Sequence, residues 1–155
     1  MNLAALATPT QKAGLLLPIV VGGTIAGTLD LISAFLTFGM GAPRGIAGGL
    51  LGRSALQGGT FTWILGVVLH FTIALSAATV YCLASRKLEF LREHWLVCGV
   101  FYGLGFYLVM NLVVLPLCAL HRTGPYQLHG LLQGLIVHMT IIALPISFSL
   151  YKLGR

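Results

Sequence analysis

One carboxylate, two imidazoles and one carboxamide, those of Asp30, His70, His138 and Asn111, stand inside long apolar runs of a 155-residue chain. An ionised carboxylate in such surroundings costs at least a few kcal/mol, so Asp30 must be neutral, hydrated or paired. A histidine, with an ordinary pKa of about 6.5, can take its proton and return it near neutral pH. Asp30 with His70 or with His138 would therefore serve as a proton relay or ion site. Arg44 and Arg53, between the first two apolar runs, are the alternative cationic partners. The same imidazoles and carboxylate suit a divalent metal such as zinc or iron, and His70 with His138 would suit the axial positions of a haem inside a four-helix bundle. No phosphate loop, hydrolase elbow, HExxH helix or paired carboxylates accompany them, which argues against an enzyme. The bland reading of each polar group is interhelical glue contributing about 1 kcal/mol or less, and Asn111 fits that reading best.

The elements that position these residues follow from length. Crossing about 30 Å of hydrocarbon takes about 20 apolar residues in a helix. Four stretches free of Lys, Arg and Glu meet that requirement, approximately 14–38, 61–84, 95–120 and 128–151. Continuous apolar runs exclude the alternating pattern of a membrane barrel, so the expected fold is all-α, a polytopic bundle of four transmembrane helices forming one domain. Each helix contributes one of the four polar residues. Small residues spaced by four mark the faces that touch: Gly23 with Gly27, Gly99 with Gly103, and Gly130 with Gly134, while Gly66, Ala74 and Ala77 serve the second span. Asp30, His70 and His138 continue these stripes and are expected to face inward. At about 1.5 Å per residue, all four polar residues fall within roughly 5 Å of one level, in the outer half of the membrane.

Composition agrees. The chain is 57% hydrophobic and only 8% charged, with a mean hydropathy of +0.96, far from soluble proteins with about a quarter charged residues. Its formal charge of +6 comes from residues that punctuate the apolar runs, which points to lipid headgroups and not to nucleic acid. Lys12, Arg86, Lys87, Arg92, Lys152 and Arg155 fall on one side, against Arg44, Arg53 and Arg122 on the other. The richer side is expected to be cytoplasmic and to carry both termini. Trp63, Tyr81, Trp95, Tyr126 and Tyr151 lie near the span boundaries. The first run extends to Phe38, too far for a cleaved signal peptide. Cys82, Cys98 and Cys118, with no CxxC spacing, read as small buried hydrophobes. Between the first two spans, Pro43 followed by Arg44, Ile46, Leu50, Leu51, Arg53 and Leu56 predicts a short amphipathic helix that lies on the outer surface or dips inward; a flexible glycine-rich connector is the alternative. His94, His121 and His129 are expected at the solvated interfaces, with Gln127 and Gln133 lining an external vestibule or capping helices.

The run Gly22-Gly23-Thr24-Ile25-Ala26-Gly27-Thr28-Leu29-Asp30, the His70 helix ending in Tyr81, the Asn111 helix with Pro116 and the His138 helix with Pro145 resemble small bacterial inner-membrane proteins, distantly of the YagU-like kind. The resemblance implies a bacterial inner membrane and about four helices, and carries no catalytic residue with it. Two non-catalytic functions remain: an ion- or solute-handling bundle built on Asp30, His70 and His138, with dimerisation expected because four helices enclose little space, or an accessory subunit packing its glycine faces on other membrane subunits.

Overall fold

Backbone groups in hydrocarbon have no water to bond, so each apolar run must satisfy its own N–H and C=O groups, and each does so as helix. The computed structural model describes residues 14–121 and 127–154, among which there is no strand. Lys12, Arg122, Tyr126 and Arg155, four residues of the charge and aromatic arguments, lie outside the described residues. The elements are α1 (Leu16–Phe38), α2 (Ala42–Leu51), α3 (Thr60–Ala84), α4 (Phe90–Glu93), α5 (Trp95–Val109), α6 (Leu115–Leu117), α7 (Leu128–Val137) and α8 (Ala143–Leu153). Met110–Val114 joins α5 to α6 and His138–Ile142 joins α7 to α8 as single wide π turns, so four apolar helical stretches cross the bundle. The chain is an all-α, multi-pass integral membrane protein.

Both π turns have a cause in the sequence. A proline lacks its N–H and crowds the carbonyl four residues earlier. Pro116 and Pro145 place that conflict at Leu112 and Ile141, inside the two π turns, where the ladder widens: the Ala143 N–H reaches back five residues to the His138 carbonyl.

Helical structure runs almost unbroken from Leu16 to Leu51, 36 residues. Straight, it would measure about 54 Å, far more than the bilayer core of about 30 Å. It turns at Gly39, whose φ of 71° suits glycine, and α2 comes back alongside α3. The expected short helix in the first loop is thus present, and it dips: the Pro43 carbonyl lies against the bare Cα of Gly66, well inside α3. The indole N–H of Trp63 donates to the Met40 carbonyl at 2.9 Å and ties the turn to α3.

Register follows from the glycines. Gly23 meets Leu75 and Ala78, Gly27 meets Phe71 and Ala74, and Gly22 meets Ile146 and Ser149. Gly99 meets Ser147 and Leu144, and Gly103 sits on the backbone of His138 and Met139. Sequential spans therefore alternate in direction, with the first between the second and fourth, and the fourth between the first and third. The second and third spans meet mainly through side chains, the Tyr102 hydroxyl donating to the Ala77 carbonyl at 2.7 Å. Around that seam lies the buried core: Ala26, Ala77, Ala78, Tyr81, Cys82, Ile142, Ile146 and Leu150. Large apolar side chains such as Leu36, 84% exposed, and Leu117, 76% exposed, cover the outside. In water such a surface would drive aggregation; in lipid it is the solvated face.

Candidate functional site

Two hollows mark the bundle: an apolar groove at the α4 end, lined by Tyr81, Leu88, Phe90, Leu91 and Tyr102 among others, and a more enclosed space at the α2 end. There a cavity of about 530 Å³ is lined by all four spans and by α2. Asp30, His70 and His138 all line it. They come from the first, second and fourth spans, so three of the four polar residues expected at one level do share one space.

His70 is buried, and its Nε2–H donates to the Gly27 carbonyl at 2.8 Å. Gly27 has no side chain because the Phe71 ring and Ala74 fill its face, and this close approach of α3 brings the imidazole within reach of that carbonyl. The Asp30 carboxylate Oδ2 lies 3.9 Å from the same Nε2, with Asp30 about a quarter exposed. His138 donates Nδ1–H to the Gly134 carbonyl at 2.8 Å and stands against the rings of Tyr107 and Phe106, 5.2 and 5.7 Å between centroids. Since a carbonyl can only accept, each neutral imidazole keeps its other nitrogen as a bare acceptor.

A row of hydroxyls was missed in the sequence. Ser33 and Thr37 follow Asp30 by three and seven residues, line the same cavity, and lead from Asp30 toward its mouth. The spacing was there to be seen, one face of one helix. At the mouth Gln133 donates to the Thr37 hydroxyl at 2.8 Å and joins the fourth span to the first. Gln133 thus lines a vestibule, while Gln127 stands at the start of α7 without capping it.

Three expectations need correction. Asn111 does not line the cavity. Its carboxamide N–H donates to the Tyr107 carbonyl of its own helix at 2.9 Å. The cavity face of the third span is Phe106, Met110, Val114 and Cys118, and Asn111 sits one residue, about 100°, off that stripe. Arg44 and Arg53 do not line it either; α2 turns Gly45, Ile46, Gly49 and Leu50 to the cavity, leaving Arg53 exposed and Arg44 half-buried. Among the described residues nothing lies within 4 Å of where a Gly130 Cβ would stand, and Gly130 lines the cavity. The remaining glycines, Gly23, Gly27, Gly99, Gly103 and Gly134, all lie in close contact, Gly134 against the Tyr107 ring.

His94, His121 and His129 are exposed, as expected of interface residues, and among the described residues Cys82, Cys98 and Cys118 are free thiols. Cys118 lines the cavity.

The donors are spread over three spans and do not converge as a metal site. Among the described residues no three His, Cys, Asp or Glu side chains gather as a metal site would require. What the arrangement offers is a carboxylate with two imidazoles in a largely apolar chamber, able to exchange a proton or to hold one small charged group.

Comparison with family models, curated proteins and solved structures gives no match to this chain. The site's chemistry is therefore argued from its own residues.

Proposed function

We propose that the protein is a non-catalytic, ion- or solute-handling bundle of the bacterial inner membrane, with Asp30, His70 and His138 as a protonatable site. The observation that carries this reading is the shared cavity of about 530 Å³, into which three separate spans each deliver one ionisable residue. His70 does bond across the seam to the Gly27 carbonyl, but all three residues also line one open space, which hydrogen bonding between helices alone does not require. The excess of basic residues beside the α4 end supports a cytoplasmic placement of that end and both termini, and with it a cavity that opens toward the outside. The inner-membrane assignment draws on the YagU-like resemblance. One cavity of this size holds one small solute, and a path through the membrane is expected to need a second copy of the chain.

The test is proton movement into proteoliposomes holding a pH-sensitive dye. An external acid step is expected to acidify the lumen faster than in protein-free vesicles, with Asp30→Asn returning the rate to that of empty vesicles. Equal rates for wild type, Asp30→Asn and empty vesicles would remove the reading. A stoichiometric partner in gently solubilised protein, together with absent proton movement, would make the chain an accessory subunit instead; a Soret band would bring haem back.

A further inference from the structure

The charges and hydrogen-bonding groups around the cavity also say what should occupy it, an inference that rests on the cavity being the functional site. Among the described residues no Lys or Arg lines it, and Asp30 is the carboxylate that does. His70 and His138 line it and each commit one N–H to a main-chain carbonyl, so in its neutral form each keeps one acceptor nitrogen. The Ser33 hydroxyl adds another oxygen. Much of the remaining lining is apolar, with Ile73, Phe106, Met110 and Ile142 among it. The site thus combines one negative charge, several acceptors and a largely hydrocarbon lining. Its volume of about 530 Å³ lies inside the range of about 300–1,000 Å³ usual for small-molecule sites.

We infer that the cavity binds a lipophilic primary or secondary amine as its ammonium ion, the N–H groups donating to Asp30 and an imidazole nitrogen and the hydrocarbon resting on the apolar lining. A carboxylate ligand would meet Asp30 with like charge. A neutral alcohol would leave Asp30 without a counter-charge, and a quaternary ammonium would bring no donor for the acceptors. The step balances without any bond to carbon changing: the ammonium ion enters, and where Asp30 held a proton that proton leaves to bulk water past Ser33 and Thr37. Titratable groups facing Asp30 are His70 from the second span and His138 from the fourth, with Cys118 on the third-span wall; the cavity face of α2, Gly45, Ile46, Gly49 and Leu50, has none. Acidification therefore weakens amine binding, since protons compete with the ammonium ion for Asp30.

The experiment is equilibrium dialysis of radiolabelled benzylammonium against the full chain in lipid nanodiscs, with empty nanodiscs as the blank. Saturable binding is expected, displaced by unlabelled benzylamine and not by benzyl alcohol, benzoate or benzyltrimethylammonium. Asp30→Asn should weaken it at least tenfold. Ala34→Leu, which places bulk in the same cavity without altering charge, should weaken it at least fivefold in protein that elutes as wild type on gel filtration. Saturable benzoate binding in place of benzylammonium would overturn the amine assignment and leave the protonatable cavity standing. So would Asp30-dependent proton movement in a protein that binds no benzylammonium. Loss of both the binding and the proton movement would take the functional reading down as well.

Discussion

Gly103 and Gly130 sit on stripes that look alike in the sequence, yet the structure demands opposite responses to the same change. A β-carbon at Gly103 would stand 2.5 Å from the His138 carbonyl oxygen and 2.6 Å from the Met139 Cα. Ordinary contact begins near 3.4 Å, so the fourth span would have to retreat by about 0.9 Å at the residue that delivers His138 to the cavity. Both obstructing atoms are backbone, which cannot rotate aside. Overpacking of this kind destabilises by about 1–3 kcal/mol, while alanine's better helix propensity returns at most about 1. At Gly130 none of the described residues lies within 4 Å, so the propensity term acts and Gly130→Ala should be neutral or stabilising by up to about 1 kcal/mol. The assay is reversible unfolding by SDS in mixed micelles, followed by circular dichroism. Equal effects at the two positions, or Gly130→Ala the more damaging, would refute the packing described for the third and fourth spans.

Other outcomes follow from single contacts. Tyr102→Phe removes the hydrogen bond to the Ala77 carbonyl across the seam between the second and third spans, and should cost about 1 kcal/mol in the same titration. Trp63→Phe keeps the ring but loses the N–H that holds Met40; the Gly39–Gly58 segment should then be cut faster by protease in nanodiscs, with the four spans left protected. Asn111→Ala, whose side chain turns back on its own helix, should leave dye-reported proton movement within twofold of wild type, while Asp30→Asn abolishes it. His70→Phe fills a similar volume but leaves Asp30 without the partner at 3.9 Å, and should destabilise the fold by about 1–3 kcal/mol, a loss that Asp30→Asn in the same chain should partly restore.

The four spans were legible because an uninterrupted apolar run of such length has one common solution in lipid, and their boundaries fall within three residues of the expected ones. The shared space of Asp30, His70 and His138 was legible for a related reason: a fixed rise per residue turns sequence distance into depth. Asn111 escaped because depth says nothing about angle. Its position one residue off the Phe106–Met110–Val114 stripe depends on which way the third span is turned, and its apolar runs give little hint of that. The arginines of the first loop misled for a similar reason. A ten-residue helix rich in glycine can present either face, and packing of Pro43 into Gly66 settled it. Gly130 shows the limit of the small-residue rule, which finds where helices can approach and not whether they do.

The two proline-induced π turns give the molecule an uneven mechanical character. They interrupt the ladders of the third and fourth spans only, whereas the first two spans run as regular helix from end to end. Compliance is thus concentrated in one half of the barrel of helices, on the wall opposite the Asp30–His70 contact. Thermal bending should be anisotropic, with the third and fourth spans swinging at the α2 end about a clamp made by Tyr81, Tyr102 and Ile146. Breathing of that kind would change the chamber's width while leaving the distance between carboxylate and imidazole almost untouched.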